Sequence, residues 1–124
     1  MGRIRSVKPQ LFLDDELAEL PILTRYFFIG LFTHSDRDGK GEDKPKQLKA
    51  CILPYDDIDC DKLMTELHPK FITRYKVGNK NYYKINKFAK HQRPHHTEKS
   101  SEIPDLTDSS PVFNGENPPV IKEK

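Results

Sequence analysis

Tryptophan is absent from the chain, cysteine and methionine occur twice each, and no long apolar run is present. The longest such run, Tyr26-Phe27-Phe28-Ile29, meets charge within a few residues, whereas a spanning helix needs about 20 apolar positions. Met1-Gly2-Arg3-Ile4-Arg5 is basic but leads into no signal-peptide core. Cys51 and Cys60 are too few for a disulfide scaffold, and without an export signal they are expected as reduced thiols in a cytoplasm. A glycine-rich phosphate loop, a Ser/His/Asp arrangement and a carboxylate pair in a cleft are also missing. The sequence therefore argues against an enzyme and asks for no cofactor. His91 and His95 have H-x3-H spacing and His96 lies beside them, but Pro94 interrupts any helix there and no second ligand pair follows, so no metal is expected.

What is present is unevenly spread. Residues 93–124 hold six hydrophobic positions (Ile103, Leu106, Val112, Phe113, Val120, Ile121) and five of the ten prolines. So little apolar surface does not offset the entropy of ordering the chain, and these residues are expected as a disordered, proline-rich tail. Residues 1–92 remain as one small domain with an N-terminal basic arm.

Charge is segregated as well. The formal net charge is +2, yet Lys70–Arg93 carries eight basic residues and no acidic one. The first eight residues add Arg3, Arg5 and Lys8, while acids cluster at Asp14–Glu19, Asp36–Asp43 and Asp56–Glu66. An acid-free basic block of this length points to a polyanion such as nucleic acid; the competing reading is a lysine-protected edge strand.

Periodicity divides residues 10–88 into short elements. Leu13, Leu17 and Leu20 have helical spacing behind the acids of Asp14–Glu19, Pro21 suits a helix start, and Leu23, Phe27 and Leu31 mark a core helix reaching Ser35. Asp36–Gly41 reads as a loop, with room for a short strand. Asp43-Lys44-Pro45 opens a second short helix with Asp43 as candidate cap, and Leu48, Cys51 and Ile52 form its inward face. Asp59 caps a third helix, stapled by Ile58 and Leu63, with Leu63, Met64 and Leu67 buried and Pro69 ending it. From Phe71 the period drops to two, Gly78–Lys80 is a turn, and Tyr82–Ile85 returns as the second strand of a hairpin.

The expected architecture is α+β: a small winged helix-turn-helix of three to four helices plus a hairpin wing, with the disordered tail behind it. In such an arrangement a helix enters a major groove while hairpin cations reach phosphates. The candidate DNA contacts are Arg3 and Arg5 in the arm, Lys46 and Lys62 in the helix pair, Arg74, Lys76, Lys80 and Lys84 on the hairpin, and Lys87, Lys90 and Arg93 after it. The hairpin is expected to turn its cations outward on one side. Tyr75, Tyr82 and Tyr83 are candidates for stacking on single-stranded bases. The third helix is acidic outside (Asp61, Glu66), which opposes groove insertion and suits a protein contact.

Several segments together resemble a known family: Arg3-Ile4-Arg5-Ser6-Val7-Lys8-Pro9, Phe12–Leu20, Phe28-Ile29-Gly30-Leu31, Asp36-Arg37-Asp38-Gly39, Lys44-Pro45-Lys46, Pro54-Tyr55-Asp56-Asp57 and Lys90–His95. They are similar to the winged-helix domain of phage and prophage replication proteins, the replisome organisers whose N-terminal domain is like that of DnaD-type primosome proteins. The resemblance implies a phage DNA-binding protein in the bacterial host cytoplasm, acting in replication initiation with a replicative helicase or helicase loader as partner. Two alternatives stay open: a small transcription regulator working as a homodimer, and a protein–protein adaptor using the acidic third helix.

Overall fold

Residues 2–92 and 98–106 are described by the computed structural model, together with the backbone of 111–112 and 120–121. Among the described residues the fold is mixed α+β, built from five α-helices and an antiparallel sheet. A 3-10 turn over Pro9–Leu13 precedes α1 (Asp15–Ala18), α2 (Ile22–Thr33), β1 (Lys40–Glu42), α3 (Pro45–Ile52), α4 (Cys60–Leu67), β2 (Ile72–Val77), β3 (Lys80–Ile85) and α5 (Phe88–His91). β1, β3 and β2 lie side by side in that order, and the two-residue β4 (Pro111–Val112) and β5 (Val120–Ile121) extend the sheet beyond β2. No helix among the described residues is long and apolar enough to cross a membrane.

Local chemistry accounts for most boundaries. The Asp14 carboxylate accepts from the Glu16 and Leu17 amides at 3.0 and 3.1 Å and starts α1. Asp59 does the same for α4, accepting from Asp61 N–H at 3.0 Å. Gly78, at φ +63°, holds the first central position of the two-residue turn between Val77 and Lys80, a conformation that suits glycine. The start of α3 departs from expectation. Pro45 opens it, but Lys44 precedes it with no side-chain cap, and the Asp43 carboxylate is engaged elsewhere.

The helices cover one face of the sheet. Phe27, Phe28, Leu31 and Phe32 of α2 meet Leu63, Met64 and Leu67 of α4 and Ile72, Tyr83 and Ile85 of the strands. At Gly30 a Cβ would overlap Ile52, so the glycine permits close approach of α2 and α3. Cys51, expected on the inward face of α3, is exposed. Leu48 and Ile52, four residues apart, set the inward stripe, and the buried cysteine is Cys60.

Register assigns the strands' side chains. Ile72 faces Ile85, Arg74 faces Tyr83 and Lys76 faces Asn81, all on the helix side. Thr73 with Lys84, Tyr75 with Tyr82 and Val77 with Lys80 lie on the other side, where Lys40 and Glu42 of β1 join them. Residues 98–106, placed by sequence in the tail, lie along this outer side. Tyr75 Oη donates to Pro104 O at 2.9 Å, the Lys40 ammonium meets the Asp105 carboxylate, and Glu98 pairs with Arg5 at 2.8 Å. These ties are polar, so the segment's low hydrophobic content does not prevent its contact with the domain. The other tail positions, 93–97, 107–110, 113–119 and 122–124, lie outside the described residues.

Candidate nucleic-acid interface

Two residues expected to meet phosphate are placed inside the molecule. Arg74 is 2 % exposed and makes a bidentate contact with Asp43, Nε–Oδ2 2.6 Å and Nη2–Oδ1 3.0 Å. It also donates to Asp61 Oδ1 at 2.7 Å and Thr65 Oγ1 at 3.2 Å. Burial alone would pull this guanidinium down, while its bonds to Asp43 and Asp61 hold it above its ordinary value. Arg74 thus ties β2 to α4 and to the segment before α3. It is an internal clamp, because its strand position points to the helices.

Arg5 is a second correction. Its side chain is buried, donating to Phe32 O at 3.2 Å, to Ser35 O at 3.0 Å and to both Glu98 oxygens, with its guanidinium 5.5 Å from the Phe88 ring centre. A cation at the carbonyl end of α2 is electrostatically favoured. Arg3 stays more accessible, its side chain half exposed and 3.4 Å from Glu98. Arg93 lies outside the described residues, as do His95 and His96.

The hairpin does not present its cations on one side. Lys76 shares the helix side with Arg74, whereas Lys80 and Lys84 belong to the outer side. The tyrosines are also placed differently from expectation. Tyr83 is fully buried in the core, 3.1 Å from Ser35 Oγ, and Tyr75 and Tyr82 are buried on the outer face.

The helix pair α3–α4 reads differently in three dimensions. Residues 44–67 carry Lys44, Lys46, Lys49 and Lys62 against Asp56, Asp57, Asp59, Asp61 and Glu66. Asp61 is paired with Arg74, and Glu66 accepts from Thr24 Oγ1 at 2.5 Å, so two of the five carboxylates are spent internally. Lys46 and Lys62 are exposed, but Lys46 shares its depression with Asp59 and Asp61.

The strongest concentration of cations is at the base of the hairpin. A depression of about 580 Å³ is lined by Lys8, Lys70, Lys87 and Lys90, with Asp14 and Glu16 at its side. A neighbouring one of about 390 Å³ is lined by Arg37, Lys40, Lys84 and Lys87, with Asp38 and Asp105. Lys87 belongs to both, so seven cations and four carboxylates line a continuous band. Glu16 is paired to Lys70 at 3.0 Å and Asp105 to Lys40. Lys87 stands at φ +57°, a left-handed conformation uncommon for a side-chain-bearing residue, in the tight turn from β3 into α5. Of this band the sequence points to Lys84, Lys87 and Lys90 as site residues. It misses Lys8, Lys70, Arg37 and Lys40, and Arg37 sits in an acidic loop with nothing local to mark it.

At the floor of the larger depression, His91 packs 5.2 Å from the Phe32 ring and 6.0 Å from Phe28. Burial, then the charges of Lys8 and Lys90, lower its pKa, and His34 is lowered by burial as well. Because both native pKa values are depressed, these two histidines bind more protons in the unfolded chain below about pH 6.5 and remove stability on acidification from there. The buried Asp43 carboxyl, raised by burial, works in the opposite sense. The urea midpoint is expected to drop between pH 7.5 and 5.5, a window above the titration of Glu98, whose carboxyl Arg5 holds low. His91→Phe should flatten part of that drop; an unchanged slope would refute the assignment.

Among the described residues no group of three His, Cys, Asp or Glu side chains could hold a metal ion. No protein-family model matches the chain, and neither a curated protein nor a solved structure matches it significantly.

Proposed function

We propose that this chain is a DNA-binding domain of the winged helix-turn-helix type that holds backbone phosphates along the cationic band at the base of its hairpin. The observation carrying the reading is that band: Lys8, Lys70, Lys84, Lys87, Lys90 and Arg37 converge from the arm, the loop before β1, the hairpin and α5. The winged-helix assignment is supported by the order α2, β1, α3, α4, β2, β3 and by β3 lying between β1 and β2. The α3–α4 pair interleaves its lysines with carboxylates, Lys46 beside Asp59 and Asp61, and the hairpin tip splits its lysines between two sides. The band is therefore the better electrostatic match to a polyanion. A role in phage replication initiation, with a helicase or its loader as partner, rests on the family resemblance of the motifs from Arg3 to His95.

Titration of a short labelled duplex by fluorescence anisotropy, between about 50 and 200 mM salt, tests the proposal. About four neutralised phosphates should give a log–log slope of about −3.6, at about −0.9 per phosphate. A flat response, or no binding at the lowest salt, would overturn it.

A further inference from the structure

The outer side of the sheet carries a pair of aromatic rings that the duplex-binding band does not use. Tyr75 and Tyr82 are direct cross-strand partners, their ring centres 5.8 Å apart and their planes 37° from parallel. Both are buried, yet neither belongs to the helix-side core. The described cover over this face is extended chain. Residues 98–106 are fastened to the domain by Glu98 on Arg5, Ser101 Oγ on Asp36, Ile103 O on Lys40 at 3.4 Å, Pro104 O on Tyr75 and Asp105 on Lys40.

The chemistry of that fastening suggests what else fits there. Lys40 and Lys84 are cross-strand partners on the same side as the two rings. The Asp105 carboxylate sits on the Lys40 ammonium and is held low first by that contact and also by Lys84. It remains three-quarters exposed, an anion at the position where a phosphate would be drawn. A rim of ammonium groups beside paired aromatic rings is the composition of a single-strand platform, in which bases stack and phosphates are neutralised. A duplex offers no free base faces, so the ligand is single-stranded. Glu42, on the same side opposite Tyr82, is paired to Lys44 at 2.9 Å.

We propose that Tyr75, Tyr82, Lys40 and Lys84 form a stacking site for single-stranded DNA, which residues 98–106 cover and compete for, with Asp105 standing in for a phosphate. A segment held by a handful of surface hydrogen bonds and ion pairs opens locally at far less cost than the core. The site shares Lys40, Lys84 and Asp105 with the duplex band and differs from it in its rings, so substitution at the rings separates the two readings.

The test uses the full chain and labelled oligothymidylate, with the same label on a duplex as the comparison. Asp105→Asn loosens the cover and should raise oligothymidylate affinity about three- to tenfold, and by clearly more than it raises duplex affinity, which also gains because Asp105 lines the duplex band. Tyr75→Phe keeps the ring, removes the tie to Pro104 and should act in the same direction. Glu102→Gln removes an equal charge from the segment, at a carboxylate paired only within it to Lys99, and should give no gain. Tyr82→Leu in the Asp105→Asn background should abolish the gain. Where that variant fails to fold, quenching of the intrinsic emission by oligothymidylate is read in a Tyr26→Phe, Tyr55→Phe chain, which removes the two exposed tyrosines outside the site; the chain has no tryptophan. An unchanged affinity in Asp105→Asn, an equal gain in Glu102→Gln, persistence of the gain in folded Tyr82→Leu, or unquenched emission would each overturn the proposal.

Discussion

Replacing Arg74 with alanine is expected to lower unfolding stability by about 3–5 kcal/mol, the usual cost of leaving one partner of a buried ion pair behind. Asp43 is only 6 % exposed, and burial already pushes its carboxyl up against the offsetting contact of Arg74. Without the guanidinium, that carboxylate must either stay charged in a poor solvent or take up a proton. Small domains have about 5–15 kcal/mol in total, so the variant is expected to sit near the edge of folding. Arg74→Lys should rescue little. One ammonium cannot reproduce the planar contact with Asp43 while also reaching Asp61 and Thr65. Removing both charges, by Arg74→Met with Asp43→Leu, should recover much of the loss, because an apolar pair is often as stable as the ionic one. Urea melts followed by circular dichroism make the comparison. A surface phosphate contact would behave in the opposite way, with an unchanged midpoint and weaker DNA binding, and that pattern would show the clamp to be wrong.

Charge reversal at the band should produce the largest effect on binding. Lys87→Glu with Lys90→Glu replaces two exposed cations of the larger depression. Duplex affinity at low salt is expected to fall more than about tenfold, and the log–log salt slope to become shallower by about two, one for each contact removed. Stability should change little, since neither side chain has a buried partner; reversal at the end of α5 adds about 0.3–1 kcal/mol through the helix dipole. The same reversal at the hairpin tip, Lys76→Glu with Lys80→Glu, should leave the slope almost unchanged. If the tip pair lost more affinity than the base pair, the contact would have to move to the tip and to α4.

Both expectations depend on where a cation points, which local sequence conveys poorly. The acid-free run from Lys70 to Arg93 marks a stretch of chain rich in positive charge. A strand, however, sends alternate residues to opposite sides. Either parity of Phe71–Val77 could be the inward one, because Ile72 and Val77 lie on opposite sides and Tyr75 is as apolar in bulk as either. The ambiguity is physical. Both sides of this sheet are covered, one by α2 and α4 and the other by residues 98–106, so the usual contrast between a greasy and a wet side is missing.

Sequence alone determined the features whose causes lie within a few residues. The cap at Asp59, a turn at Gly78, the stripe of α2 and the order of helices and strands from α1 to β3 all follow from short-range stereochemistry and period. Tertiary structure alone decided which charges remain available to a ligand. Arg74 is neutralised by Asp43, 31 positions away, and Arg5 by Glu98, 93 positions away, while Lys8 and Lys87 come together from opposite ends of the domain. The reason is that an ion pair is specified by distance in space, and the solvent exposure of a charged side chain is a property of the packed chain.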